Sequence, residues 1–154
     1  MNNNDRLTRL RYALDIKDND MVELFSLGGV TVTKEEYLSM LNKIDDDLYE
    51  NMLEDEMFER FLNGMIISQR GKKDDDQVVY ELHEGNANNV FLKKIKIALS
   101  LTTDDMLHYL DEAGASVSKS ELSAFLRKEG HRNYKVCGDN YTRHFLKGLM
   151  TDYR

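Results

Sequence analysis

The sequence predicts an all-α protein built as two homologous four-helix units in tandem, related by a pseudo-twofold axis. Residues 88–101, NNVFLKKIKIALSL, are a second copy of residues 3–16, NNDRLTRLRYALDI. Sliding the chain against itself by roughly 85 residues continues the match through Asp20/Asp105, Met21/Met106, Gly29/Gly114, Val32/Val117, Lys34/Lys119, Glu36/Glu121, Leu41/Leu126 and Tyr49/Tyr134. Beyond Tyr49 one residue must be dropped to bring Phe61, Leu62 and Gly64 onto Phe145, Leu146 and Gly148, which places a length change, and therefore a loop, near residues 50–56. Helix is favoured over strand by the abundance of Met, Leu, Glu and Lys, and with no proline in 154 residues the turns fall to Gly, Asn and Asp.

Taken in order, Asn3 or Asn4 can cap a first helix whose apolar positions Leu7, Leu10, Ala13 and Leu14 recur at three and four, with Arg6, Arg9 and Arg11 turned toward water. That helix is expected to end near Asp15. Asp18 offers a cap for a second helix through Met21, Leu24, Phe25 and Leu27, stopped by Gly28-Gly29. Thr33 and Glu36 form a capping box for a third helix reaching Leu41. The acidic stretch 44–55, IDDDLYENMLED, has no sustained period and reads as an extended loop with Tyr49 pinned inward. From about Asp55 the pairs Met57/Phe58, Phe61/Leu62 and Met65/Ile66 advance by four, giving a fourth helix to about Gln69.

Residues 1–69 thus form the first unit. Residues 70–87, RGKKDDDQVVYELHEGNA, lie outside the repeat and read as a linker in which Val78, Val79 and Tyr80 are placed to dock on a neighbour. Residues 88–154 replay the plan: a helix over Leu92, Ile95, Ala98 and Leu99; a helix from a Thr103 cap to Gly114; a second capping box at Ser118 and Glu121; and a last helix over Tyr141, Phe145, Leu146, Leu149 and Met150. Units of about 70 residues are marginal alone, so the two are expected to pack together.

One cysteine excludes an internal disulfide, and no segment approaches the ~18 apolar residues of a membrane span; a cytoplasmic setting is expected. The net charge of −7 hides an asymmetry. Residues 1–77 carry 10 Lys/Arg against 18 Asp/Glu, and residues 78–154 carry 11 against 10. The basic residues of the second unit crowd around 119–147, where they either face the acidic first unit, pairing with Asp45, Asp46, Asp47 and Glu50, or offer a surface to a partner.

Several motif readings can be weighed on their chemistry. Helix two, a glycine turn and helix three suggest a helix-turn-helix, but in the first unit the would-be recognition helix presents Glu35 and Glu36 to phosphate, whereas the second presents Lys119, Ser123, Arg127 and Lys128. An EF-hand reading of 24–36 fails in both registers, because Leu24, Ser26 and Gly28, or Glu23, Phe25 and Leu27, fall where side-chain oxygens are required. Residues shared by both units, such as Asn3/Asn88 and Tyr49/Tyr134, serve the fold; those in one unit are available for function. The unmatched cluster runs from Gly130, His131, Arg132 and Asn133 through Lys135, Cys137, Gly138 and Asp139 to Arg143, His144 and Lys147, and the candidate binding residues are Arg127, Lys128, His131, Arg132, Asn133, Lys135, Cys137, Asp139 and Arg143. Cys137, aligned near Met52, precedes a helix start among basic neighbours, a setting that lowers a thiol pKa, although a small apolar residue under a loop is the commoner role. No compact ligand spacing supports a metal, and no cofactor is implied.

NNxxLxxLxxAL opening each unit, the glycine stop, the VSKSEL third helix, HRNYKVCGDN and the closing FLKGL resemble the YehS-like family of small bacterial proteins of unknown function, over nearly the whole chain. The resemblance implies a bacterial cytoplasmic protein with an all-helical repeat, and brings no catalytic residues. The residues themselves show no carboxylate dyad, no nucleophile with its base and no phosphate-cradling glycine loop. The expected function is therefore a non-enzymatic binding or adaptor protein with a protein partner. The alternative is nucleic-acid or other polyanion binding through the basic surface of the second unit, and the apolar content leaves room for a homodimer.

Overall fold

The computed structural model describes residues 1–72 and 78–154, so that part of the expected linker, 73–77, lies outside the described residues. Within them the fold is all-α, two four-helix units in tandem: α1 (Asn3–Leu14), α2 (Asp18–Leu27), α3 (Lys34–Leu41) and α4 (Asp55–Arg70), then α5 (Ala87–Ala98), α6 (Thr103–Glu112), α7 (Lys119–Leu126) and α8 (Asp139–Tyr153). One addition was not foreseen. The stretch read as an extended loop contains a small antiparallel hairpin, β1 (Lys43–Asp45) and β2 (Leu48–Tyr49), with Asp47 in the left-handed region at its turn. Strands of three and two residues are too short to show an alternating pattern. Tyr49 is indeed turned inward, where its hydroxyl donates to Asp5 at 2.6 Å.

The helix ends follow local capping chemistry, shifted by a residue in places. Asn2, rather than Asn3 or Asn4, caps α1 in a capping box with Asp5. Lys17 and not Asp18 stands at the cap of α2, and Thr102, not Thr103, caps α6 with Asp105. The Thr33/Glu36 box is formed in full, with Glu36 N–H donating to Oγ1 at 3.0 Å and Thr33 N–H to the carboxylate at 3.1 Å. The second box is half formed: Ser118 Oγ accepts from Glu121 N–H, but the Glu121 carboxylate is taken by Lys135 at 3.1 Å. Gly29 and Gly114, at matched positions with φ of 92° and 90°, make the left-handed stops after α2 and α6.

Asn3 and Asn4 do not cap because they tie the loop before each unit's last helix. Asn4 donates to the carbonyls of Met40 and Asn51 (2.9 and 2.8 Å) and accepts from Leu53 N–H (2.9 Å). Asn89 does the same with Phe125, Lys135 and Cys137 (3.0, 2.8 and 3.0 Å). Asn3 donates to Leu53 C=O and Asp55, and Asn88 to Cys137 C=O and Asp139. These bonds fix the true register. Met40 answers to Phe125 and Asn51 to Lys135, so the length change lies between Met40 and Asn51, in the hairpin, earlier than the sequence match placed it. Cys137 therefore answers to Leu53, not to Met52.

The two units are joined along their first and last helices: α4 packs on α5 and, by the same symmetry, α1 on α8. Each pair runs parallel. Lys94 of α5 bonds Asn63 of α4 while Arg70 reaches Ser100; the Met1 amino group lies 3.0 Å from Asp139 while Arg154 reaches Tyr12 C=O. The starts of α1, α4, α5 and α8 thus meet at one pole, where Arg6 bridges the equivalent asparagines by donating to Asn3 and Asn88 (both 2.9 Å). Arg6 is 5% exposed, against the expectation that it faces water. Burial draws its pKa down while Asp139, Asp5 and Asp55 draw it back, and the same three carboxylates lie in the first turns of α8, α1 and α4, where they complement the positive helix ends. Leu14, Gln69, Leu99 and Tyr153 meet at the opposite pole.

Within each unit the second helix crosses the last at a glycine. A Cβ at Gly64 would strike Leu24 C=O, and one at Gly148 would strike Tyr109 C=O, the matched positions of the repeat. The core is continuous across both units and includes Phe25, Phe58, Phe61, Phe91, Phe125 and Phe145.

Candidate functional site

The nine residues singled out by the sequence do not form one site. Arg127, Lys128, His131, Arg132 and Asn133 are exposed on the loop after α7, where Gly130 at φ 95° and a bond from Asn133 N–H to His131 Nδ1 set the turn. Lys135 is drawn to Glu121. Among the described residues none of these pairs with Asp45, Asp46, Asp47 or Glu50, so charge pairing with the first unit does not explain the cluster.

Cys137 and Asp139 are part of the frame. Cys137 is 1% exposed, the commoner role of a small apolar residue under a loop, and burial pushes its thiol up to about 12 rather than down; basic neighbours in sequence do not face the sulfur, which lies against Thr142 and Gly138 C=O. Asp139 is the first residue of α8, with Gly138 at the cap. Burial would raise its carboxyl, but the Asn88 amide, the Met1 amino group and Arg6 outweigh this and hold it below the usual range.

Arg143 belongs elsewhere. It stands on α8 in a groove of about 570 Å³ between α8 and α1. Tyr12, Ala13, Leu146 and Met150 give this groove an apolar lining, and Arg9, Arg143, His144 and Lys147 add basic groups with no carboxylate among them. Arg143 bonds only weakly to Asn140 on its own helix, at 3.3 Å, and His144 Nδ1 lies 2.6 Å from Asn140 C=O. The sequence reading found Arg143, His144 and Lys147 but missed Arg9 and Tyr12, because α1 and α8 are at opposite ends of the chain, and Met150, which it read as a core position of the last helix. A signal existed: the repeat sets Glu59, Arg60 and Asn63 against Arg143, His144 and Lys147, a reversal of charge at one helix face.

On α4–α5, the matching face is covered around Glu59, while toward Ile66 and Ile97 a cavity of about 840 Å³ remains beside Val78 and Val79. Glu59, with no exposed surface, accepts the backbone N–H groups of Glu81 and Leu82 at 2.8 and 2.7 Å and faces Lys94 at 3.4 Å. Tyr80 lies over the Arg60 guanidinium at 4.6 Å, and Leu82 is buried. The chain that crosses between the units thus lies in one groove, whereas at the other the Arg154 guanidinium stacks on the Tyr12 ring at 3.8 Å and the rest of the lining stands open among the described residues.

Fold and groove together define the class: a helical protein made by duplicating one four-helix unit, its two copies sharing a core. The family model described as "Protein of unknown function (DUF1456)" matches the chain twice, over residues 3–71 and 88–154, and the chain belongs to this family. It is 40% identical over 149 residues to the "Uncharacterized protein YehS" of Escherichia coli (strain K12), covering 97% of this chain and 94% of that protein. No solved structure matches it. Among the described residues, no helix is long and apolar enough to cross a membrane.

Proposed function

We propose that the protein is a non-enzymatic binding or adaptor module that takes a protein partner in the α1–α8 groove. One observation carries this reading: a groove with an apolar lining and one sign of charge stands open on a helix pair whose repeat-related counterpart is occupied by the chain itself. Apolar surface ringed by unpaired basic groups is the anatomy of a docking site. The buried polar groups, by contrast, are engaged in holding loops and helix ends, and the buried thiol is unsuited to nucleophilic work. The test is an affinity capture with the native chain and with Arg143→Glu/Lys147→Glu. A partner held by the first and lost by the second supports the reading. A turnover in an activity screen that disappears in Cys137→Ala would overturn it in favour of an enzyme.

The exposed loop favours a second reading, in which Arg127, Lys128, His131, Arg132, Lys135 and Arg143 bind a polyanion, nucleic acid being the natural case. Its support is the exposure of Arg127, Lys128 and Arg132 beside Gly130; against it stand the Glu121 carboxylate on Lys135 and the separate setting of Arg143. Binding of this kind falls with salt with a log-log slope of about −0.9 per phosphate neutralised on duplex, and Arg132→Ala/Lys135→Ala would flatten that slope by roughly one to two units. A gel-shift titration around 0.1 M salt that shows no complex removes this reading.

A further inference from the structure

We infer that the occupant of the α1–α8 groove is a peptide segment carrying apolar and acidic side chains, laid on this helix pair as the chain around Leu82 is laid on α4–α5. The inference rests on the binding reading above and adds the chemistry and the pose of the ligand.

The pose follows from the repeat. Because α4 and α5 run parallel, the chain between them must return against both, and in it Leu82 is buried beside Glu59, Tyr80 lies on Arg60, and the exposed Val78 and Val79 border a cavity shared with Ile66 and Ile97. α1 and α8 run parallel in the same way, and each groove residue has its counterpart: Tyr12 for Ile97, Leu146 for Leu62, Met150 for Ile66, Arg9 for Lys94. The same helix pairing therefore leaves the same kind of trough. From Arg143 to Met150 it is about 10 Å long at 1.5 Å per residue, room for roughly three residues of extended chain.

The chemistry follows from what differs. Glu59 grips its segment by accepting two backbone N–H groups; Arg143 at that position has five donors and no acceptor, so it cannot repeat that grip and instead seeks carbonyl or carboxylate oxygen. Lys147 replaces Asn63, and among the described residues neither Lys147 nor Arg9 is ion-paired. A chain with apolar side chains on Met150 and Leu146, beside the Tyr12 ring that Arg154 overlies at 3.8 Å, would bring its polar side chains to this basic rim, and carboxylates there complement it. The apolar lining favours a peptide over a nucleic-acid backbone, whose phosphates leave that surface unused.

The probe is a fluorescein-labelled octapeptide alternating Glu and Leu, titrated by fluorescence anisotropy into the full chain at 0.1 M salt, with an octapeptide alternating Lys and Leu and a single-stranded oligonucleotide of matched charge as comparisons. The expected result is at least tenfold tighter binding of the acidic peptide than of either comparison, and at least a tenfold loss in both Arg143→Glu/Lys147→Glu and the milder Arg143→Gln/Lys147→Gln, with thermal melts unchanged. Equal binding of the two peptides, tighter binding of the oligonucleotide, or binding that both variants leave intact would overturn the inference. If the acidic peptide fails while the captured partner is still lost in the variants, the ligand chemistry is wrong and the groove stands; if neither depends on the groove, the binding reading falls with it.

Discussion

Glu59 and Arg143 occupy equivalent positions of the two units, and the buried carboxylate of the first grips the chain crossing α4–α5 while the guanidinium of the second faces an open groove on α1–α8. The position that holds the connecting chain in one unit is thus a cation beside an open groove in the other.

Removing the grip is expected to loosen the crossing segment. Glu59→Ala leaves the N–H groups of Glu81 and Leu82 without partners and Lys94 without its counter-charge, and should cost about 3–5 kcal/mol. Glu59→Gln keeps one acceptor and should cost less. Denaturant melts give the energies, and amide exchange at Glu81 and Leu82 should rise in both variants; unchanged protection there would contradict the role assigned to Glu59.

The asparagine pair should be costly in either unit. Asn4→Ala or Asn89→Ala abandons two carbonyls and one buried N–H, at about 2–4 kcal/mol each. Since α1 and α5 share one core, each change should lower a single cooperative transition rather than split it, which calorimetry reads directly.

At the helix crossings, Gly64→Ala and Gly148→Ala force backbones apart, because the added Cβ meets a carbonyl oxygen and not a movable side chain. Each should cost about 2–3 kcal/mol, whereas Gly138→Ala, where a Cβ meets nothing within 4 Å, should stay within about 1 kcal/mol. Similar melting temperatures for all three would refute the close approach.

The Cys137 thiol, pushed up to about 12 by burial, should resist alkylation by iodoacetamide at pH 8 in the folded chain. Labelling should track unfolding, rising with denaturant along the same curve as helix loss. Rapid labelling of the native chain would place the sulfur outside the core.

Asp139 links the fold to pH. Its folded pKa lies below the ordinary value, so the folded state binds fewer protons than the unfolded one in acid; the stabilisation is fully present above the unfolded pKa and is lost as pH falls through the folded one. Asp5, lowered despite burial by Tyr49 and Asn2, acts in the same sense. Stability should fall below about pH 4, and Asp139→Asn should flatten that decline at a cost near neutral pH of about 1 kcal/mol, modest because the side chain is part exposed. A pH profile of urea midpoints for the native and substituted chains reads both effects.

The sequence by itself determined the duplication, the helical class, the Thr33/Glu36 capping box and the paired glycine stops, since each rests on local chemistry or on matched spacing: Thr33 with Glu36, Gly29 with Gly114, Asn3 with Asn88. It misplaced what depends on who lies across the way. Arg6 sits at a helical position that periodicity assigns to water, yet the opposite unit brings Asn88 to it; Cys137 has basic neighbours along the chain, yet in space it packs where Leu53 does in the first unit. The candidate cluster was scattered for the same reason, because neighbours in sequence around a loop and a helix start point to different faces. Only the tertiary structure decided that α1 would meet α8, residues some 140 apart in the chain, and that α4 would meet α5 with the connecting chain laid between them. No local rule carries that pairing: it is set by burying the faces of all four helices in one core, and the groove exists because one pair is covered and the other is not.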